Sequence, residues 1–321
     1  MRDAGAGQRV ALLGGGGSPV GRELAEQLIA RGIRVHSADA RALRVRSVAN
    51  HVVPDATDPG FLPAIARLVR RHLIDIVIPL NTVALQQVSA GRSLLGTDVD
   101  VVVPGAGPAA IMHDRLLVSA KLWSHGVTIP NFAVPSDLPD VDAALRLMAG
   151  EFVLRARFVT DRRTATLVRT SGDLDWSTLD DNSLVQQFVA GAAYAVIVHR
   201  PPNGGRRLTV VLEKTIRADG EVVTSRVAGD RRVEEVERVA QATVRALGLT
   251  GPAEVMLRSS SDGTPIVLDV TAGFGPHSPL VPELVDVVLE SHAQHGNLTE
   301  RLTDGGGGTG GSSLRHARGQ R

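Results

Sequence analysis

The chain has 321 residues, 43% hydrophobic and 21% charged, with 35 basic against 34 acidic side chains and a formal charge of +1. This is ordinary globular composition, long enough for two domains, and so even a balance excludes nucleic acid or an anionic membrane as a partner drawn by charge. Aromatic residues make up only 3%, which argues against a base-stacking surface, and without cysteine there is no disulfide, thiolate metal site or thiol nucleophile.

A short polar leader runs straight into a strand pattern, with no signal-peptide core, and no apolar run reaches the ~20 residues a membrane helix needs. The expectation is a soluble cytoplasmic protein with no membrane partner. Residues 10–13 read as a short buried strand. Gly14 to Gly17, then Ser18-Pro19-Val20-Gly21, turn the chain into a helix over 19–31, with Pro19 in the first helical turn. A second strand covers 33–37 and ends near Asp39. The apolar spacing of Leu62, Ile65, Leu68 and Val69 predicts a helix over 58–72. A buried strand at 74–80, a helix at 82–95 and a strand at 98–103 follow. Near-continuous apolar strands alternating with helices imply a parallel sheet covered on both faces, in a domain spanning 1–112.

A second domain is expected over 113–303. It opens with a helix at 113–125, stopped by Gly126, then an extended link and a helix at 141–148. Strands are expected at 151–157, 165–170 and 184–189. Three more, at 194–199, 207–217 and 221–228, are joined by tight turns at Asn203-Gly204-Gly205 and Asp219-Gly220. Val233, Val236, Val239, Ala240 and Val244 line one side of a helix over 231–247, and a last helix covers 281–291. The half is α+β, divided into lobes at 113–183 and 184–303. Residues 304–321 form a glycine-rich flexible tail.

Four features carry possible chemistry. Asp262-Gly263 between two β-rich runs signals a hairpin. It sets Glu254 opposite Thr271 and Met256 opposite Asp269, so Glu254, Asp269 and Thr271 share a face. Such a face is either a solvated one or a site for a hard cation such as Mg²⁺. Arg155 lies inside an apolar strand, where a charge is costly unless paired; an anion is one such partner, and Arg157 on the same face is a second candidate. Asp114-Arg115 opens a helix and, taken alone, is a solvated helix end. The early glycine loop lacks a clean G-x-G-x-x-G because Pro19 takes the third slot. Asp39 stands where a ribose acid would, yet NAD is not expected. Lys121 and Lys214 are the only lysines, so a phosphate-binding cation here is arginine, whose planar fork suits bidentate contact. His292-x-x-His295 lacks a carboxylate to complete a metal site.

These segments together resemble the ATP-grasp superfamily, and most of all the large subunit of carbamoyl phosphate synthetase. The resemblance is carried by residues 45–88, Asp114-Arg115, the link GVTIPNFAV, the strand FVLRARF, the segment LVQQFVAGAAYAVIV, and the hairpin with Glu254, Asp269 and Thr271 followed by Gly273-Phe274-Gly275. It implies a Rossmann-like pre-ATP-grasp α/β domain followed by an α+β ATP-grasp domain. It implies ATP and Mg²⁺, with Arg115 and Arg155 on the phosphates and the backbone of Gln187, Phe188 and Val189 on the adenine. Glu254, Asp269 and Thr271 would be the metal ligands, and no catalytic residue is assigned. The reaction it implies phosphorylates a small-molecule carboxylate for attack by an amine, and it allows a homodimer. The sequence also departs from the family. No glycine precedes Gly172 in the loop that should close over phosphates, where Arg162 and Arg163 are the substitutes; Ala193 replaces a ribose-binding Glu; Asp269 and Thr271 replace Glu and Asn; Gly273 replaces Arg. The competing expectation is a degenerate module that binds a nucleotide or partner without turnover.

Overall fold

The computed structural model describes residues 8–42, 47–159, 165–216 and 221–292. Its first half contains β1 (Val10–Gly14), α1 (Pro19–Ala30), β2 (Arg34–Asp39), β3 (Ala49–Val52), α2 (Phe61–His72), β4 (Ile76–Pro79), α3 (Thr82–Ala90), β5 (Asp100–Val101) and α4 (Ala106–Ile111). The five strands form a parallel sheet in the order β3-β2-β1-β4-β5. Alternate residues explain the two covered faces. Leu13, Val35 and Ile78 pack beside Leu24 and Leu28 of α1, whereas Leu12, Ala38 and Val77 pack beside Ile65 and Val69 of α2. Ser18 caps α1 by accepting from the Gly21 amide at 3.0 Å. A Cβ on Gly21 would stand 2.5 Å from the Gly15 carbonyl oxygen, so the helix reaches the turn only because position 21 is glycine.

Two expectations change here. The sequence reading has no strand at Ala49–Val52, a short polar edge segment without an apolar run. The helix expected over 82–95 ends at Ala90, and after Gly91 the chain makes a separate 3-10 turn at Arg92–Leu95.

The second half begins with α5 (Arg115–Ser124), β6 (Phe132–Ala133), α6 (Val141–Leu147), β7 (Phe152–Ala156), β8 (Thr166–Val168) and β9 (Ser183–Gln187). Its strands make a four-stranded antiparallel sheet, β6-β9-β7-β8. This lobe has a small core of its own around Val141, Met148, Phe152, Val168 and Val185. Because β9 pairs with β7, the sheet runs on to Gln187, and the lobe boundary drawn at 183/184 falls inside it. Then come β10 (Ala193–Arg200), β11 (Leu208–Ile216), β12 (Val222–Val227), α7 (Arg231–Leu247), β13 (Gly251–Ser259), β14 (Pro265–Ala272) and α8 (Glu283–Ser291). Their sheet has the order β12-β11-β10-β13-β14. One face packs on the apolar stripe of α7, including Val236, Ala240 and Val244. The other packs on α8, whose Leu284, Val285 and Val288 share one continuous core with Leu13, Val35 and Ile78 of the parallel sheet. Asp219-Gly220, Arg162, Arg163, His295 and the tail lie outside the described residues. Among those described, no helix is long and apolar enough to cross a membrane.

At the end of β10, His199 is 1% exposed, and neither ring nitrogen has a hydrogen-bond partner. Burial, helped by the nearby His292, lowers its pKa from 6.5 to about 4. Below the ordinary value the unfolded chain takes a proton that the folded chain refuses. Stability is therefore full above that value and falls as pH drops toward the folded one. The expected loss from this group is about 2 kcal/mol between pH 7 and pH 5. Urea unfolding of the wild type and of His199→Leu at both pH values checks this. The variant should have the flatter profile, and equal pH dependence would refute the assignment.

Candidate nucleotide site

The site is assembled where α5, β7 and β14 converge. Asp114 is the N-cap of α5, accepting from the Leu116 amide at 2.9 Å. It does not face solvent. It is 6% exposed, and Arg157 of the segment after β7 grips both carboxylate oxygens, with contacts of 2.7 and 3.0 Å to Oδ2 and 3.0 Å to Oδ1. Burial alone would raise the Asp114 pKa; the Arg157 fork and the Leu116 amide outweigh it and hold the carboxyl below its usual range. The Arg115 amide also donates to the Arg157 carbonyl at 3.0 Å. Arg157 is thus the strut joining helix to sheet, which leaves Arg115 and Arg155 as the cations turned toward the cleft.

Those two meet on one carboxylate. Arg155 pairs with Asp269 through Nη2, and through Nη1 donates to Gln186 Oε1 at 3.1 Å and the Leu268 carbonyl at 3.2 Å. Arg115 donates from Nη1 to the Ala156 carbonyl at 2.8 Å, and its Nε stands 3.6 Å from Asp269 Oδ2. That Nε is buried and has no hydrogen-bond partner. Burial lowers the Arg115 pKa, Asp269 counters it and the like charge of Arg155 adds to it. Two guanidiniums around one carboxylate leave a net positive charge, and the residues fit an anionic group such as phosphate.

The hairpin pairs Glu254 with Thr271 and Met256 with Asp269, as expected, but not through a two-residue turn: residues 260–264 connect the strands and Ser259 pairs with Pro265, one residue off the expected register. Beyond Met256 a bulge shifts the pairing by one residue, so Leu257 faces Val267. Glu254 is 1% exposed. Its Oε2 accepts from the His277 amide at 2.9 Å and its Oε1 lies 2.6 Å from His277 Nδ1. Gly275 closes the far side, where an added Cβ would sit 2.3 Å from Oε2. Glu254 also acts on Lys214, whose pKa burial lowers and this carboxylate partly restores. Two carboxylates and a hydroxyl on one hairpin face are the oxygen donors that Mg²⁺ takes, and in this arrangement each carboxylate already has a cationic or hydrogen-bonding partner.

At the strand end after β9, the Gln187 amide donates to the Asn131 carbonyl at 2.9 Å and the Phe188 amide to the Glu151 carbonyl at 3.1 Å. Gln187 Oε1 accepts from the Asn131 amide at 3.2 Å, and Val189 is buried. The Arg258 guanidinium lies 6.0 Å from the Phe188 ring centre. Between Arg115, Arg155, Gln186 and Asp269 the free space is about 20 Å³. A far larger cavity, about 570 Å³, opens at the C-terminal ends of β1, β2 and β4, lined by Gly14, Asp39, Asp55 and Asn81 and reached by Val159 from the other half. It lies where the strand order reverses on either side of β1, the crevice in which open parallel sheets bind ligands.

Sequence reasoning missed His277, Gln186 and the strut role of Arg157. Gln186 had a weak signal at most: it is one of three polar residues in the strand SLVQQ, on the same face as Leu184. His277 had one in its place just behind the acid-bearing strand, in the run GFGPH.

No family model and no curated protein matches the sequence. Solved structures do match the fold. An L-amino acid ligase from Bacillus licheniformis superposes with a TM-score of 0.69 at 16% identity, over 89% of this chain and 74% of that one. N5-carboxyaminoimidazole synthetase from Staphylococcus aureus, complexed with ADP, gives 0.70 at 16% identity over 88% and 76%. D-alanine–D-alanine ligase from Bacillus anthracis, complexed with ATP, gives 0.62 at 14% over 91% and 100%. The chain has the fold of the ATP-grasp ligases, a parallel α/β domain followed by an α+β pair of antiparallel sheets.

Proposed function

We propose that the protein is an ATP-dependent ligase of the ATP-grasp type, joining a small-molecule carboxylate to an amine. The observation that carries this reading is the convergence of Arg115 and Arg155 on Asp269, two cations on one carboxylate. In the reaction, a carboxylate oxygen takes the γ-phosphoryl group with release of ADP, and the amine then displaces phosphate from the acyl phosphate. Arg115 and Arg155 neutralise phosphate charge, the main electrostatic work of phosphoryl transfer. The backbone at Gln187, Phe188 and Val189 holds the adenine. Glu254, Asp269 and Thr271 are the candidate ligands for Mg²⁺, which when bound would offset charge between the phosphates. Arginine at both 115 and 155 is what aligns the chain with carbamoyl phosphate synthetase rather than with lysine-bearing relatives. The domain division at 112/113 belongs to the same proposal.

A second reading has its own observations. Glu254 is held by His277, Asp269 is neutralised by two arginines, and the space beside Arg115, Arg155 and Asp269 is about 20 Å³. Such a site suits a module that binds a nucleotide or a partner protein without turnover. Mg-ATP at millimolar concentration should raise the melting temperature, since a ligand that binds only the folded state stabilises it. No shift would eliminate the ligase. Asp269→Asn should leave ATP binding measurable by calorimetry but insensitive to Mg²⁺; retained Mg²⁺ dependence would remove Asp269 from the ligand set. ADP release stimulated by a mixture of amino acids separates ligase from binding module.

A further inference from the structure

A second constellation lies in the first half, away from the nucleotide cleft. His36 on β2 and His51 on β3 are diagonal neighbours on the sheet face covered by α2, since Ala38 pairs with His51 and His36 with Ala49. His72 is the last residue of α2 and reaches the same point. His36 Nδ1 lies 2.9 Å from His51 Nε2. The ring centres of His36 and His51 are 5.2 Å apart, and His72 stands 4.8 Å from the first and 4.7 Å from the second. One ring nitrogen from each falls within 4.8 Å of the other two, and this is the one group of three or more histidines or acids so arranged among the described residues.

We propose that His36, His51 and His72 form a three-histidine site for a divalent transition-metal ion, Zn²⁺ being the cation it suits best. Imidazole is a preferred ligand of Zn²⁺, and three protein nitrogens plus one exchangeable ligand complete its tetrahedron. Zn–N bonds of about 2.0–2.1 Å place ligating nitrogens about 3.3 Å apart. The His36–His51 pair is already close to that spacing at 2.9 Å. His72 is the member with freedom to close, being half-buried at a helix end. His36 is 6% exposed, so the site has a fixed inner wall and an open side. Arg34 and Arg71 are near enough to act on the rings electrostatically. Their charge suits an anionic fourth ligand, such as hydroxide or a small carboxylate, over neutral water.

The placement also gives the ion something to hold. β3 is the edge strand of the parallel sheet, and the residues after it, Val53 to Thr57, form one wall of the 570 Å³ cavity. An ion bound by His36, His51 and His72 staples that edge to β2 and to the end of α2. The site is independent of nucleotide chemistry.

The test uses the full-length chain stripped with a chelator and titrated with Zn²⁺ or Co²⁺ alone. The expected result is one equivalent bound at micromolar affinity or better, with the visible absorption of a nitrogen-ligated tetrahedral Co²⁺. His51→Gln and His72→Gln should each weaken binding at least about tenfold, and the double variant should abolish it. His125→Gln, at an exposed helix end, should change nothing. Zn²⁺ bound to the wild type should also shield the half-buried His51 and His72 from diethyl pyrocarbonate in peptide mapping, a readout that needs no variant to fold. Absence of binding at micromolar Zn²⁺, unchanged affinity in the double variant, or no shielding of His51 and His72 would each overturn the assignment and leave a metal-free stack of rings.

Discussion

The double variant Arg115→Met/Arg155→Met should bind ATP at least about 100-fold more weakly than the wild type. Each guanidinium offers the phosphates a charge-assisted hydrogen bond of about 1.5–3 kcal/mol, and 1.4 kcal/mol is tenfold in affinity. The change also leaves the Asp269 carboxylate without a cation in the cleft, and an unpaired anion repels a polyphosphate. Each single variant should show part of the loss. Calorimetry with a non-hydrolysable ATP analogue measures this. Affinity within threefold of wild type in the double variant would place the nucleotide elsewhere, or nowhere, and with it the whole ligase reading.

Asp114→Ala should be among the most destabilising single changes in the molecule, costing about 3 kcal/mol. It removes the cap of α5, worth about 1 kcal/mol, and strands Arg157 without the partner that fixes it. The Arg157 side chain is 23% exposed, so water recovers some of that loss, and the estimate sits at the low end for breaking a buried pair. Asp114→Asn keeps a capping oxygen but loses the charge, and should cost roughly half as much. Arg157→Met leaves a carboxylate that is 6% exposed and should cost about as much as Asp114→Ala. Urea denaturation of the three variants and one double variant completes a cycle. If the alanine variant lost under 1 kcal/mol, the Asp114–Arg157 pair would be incidental to folding.

Much of this frame is legible in the chain, and the limits have physical causes. The hairpin itself was readable from Asp262-Gly263 between two β-rich runs, but its register beside the turn was not: Ser259 pairs with Pro265, one residue off, and the expected pairing of Glu254 and Asp269 holds only beyond the bulge. The bulge between Met256 and Leu257 was not readable, since nothing in those residue types marks an extra residue opposite. The strand Ala49–Val52 escaped because an edge strand need not be apolar, and Asn50 and His51 give it no β pattern. Arg155 was singled out by the cost of a charge in an apolar strand, and the structure answers with Asp269, Gln186 and the Leu268 carbonyl. The converse case is Asp114, whose sequence setting suggests a solvated helix end. Its burial under Arg157 comes from the segment after β7, about forty residues on, which no local pattern shows. His36, His51 and His72 come from three separate elements, so only the assembled sheet and helix reveal that they meet.

The apolar core that runs from β1 and β2 through α8 into β10 and β11 has a consequence for how the molecule comes apart. A cut between residues 112 and 113 would tear Val285 and Val288 away from Leu13 and Val35, so neither piece should persist alone as a soluble fragment. The parallel sheet and the large antiparallel sheet should melt in one transition. The four-stranded lobe is different, because Met148, Phe152 and Val185 serve only its own interior, and its links across the cleft include Arg155 to Asp269. Charged links weaken in salt while apolar ones do not. With Arg155 and Asp269 only 16% and 33% exposed, salt screens this particular link weakly; it is the small separate core that should make this lobe the first part of the chain to yield to protease.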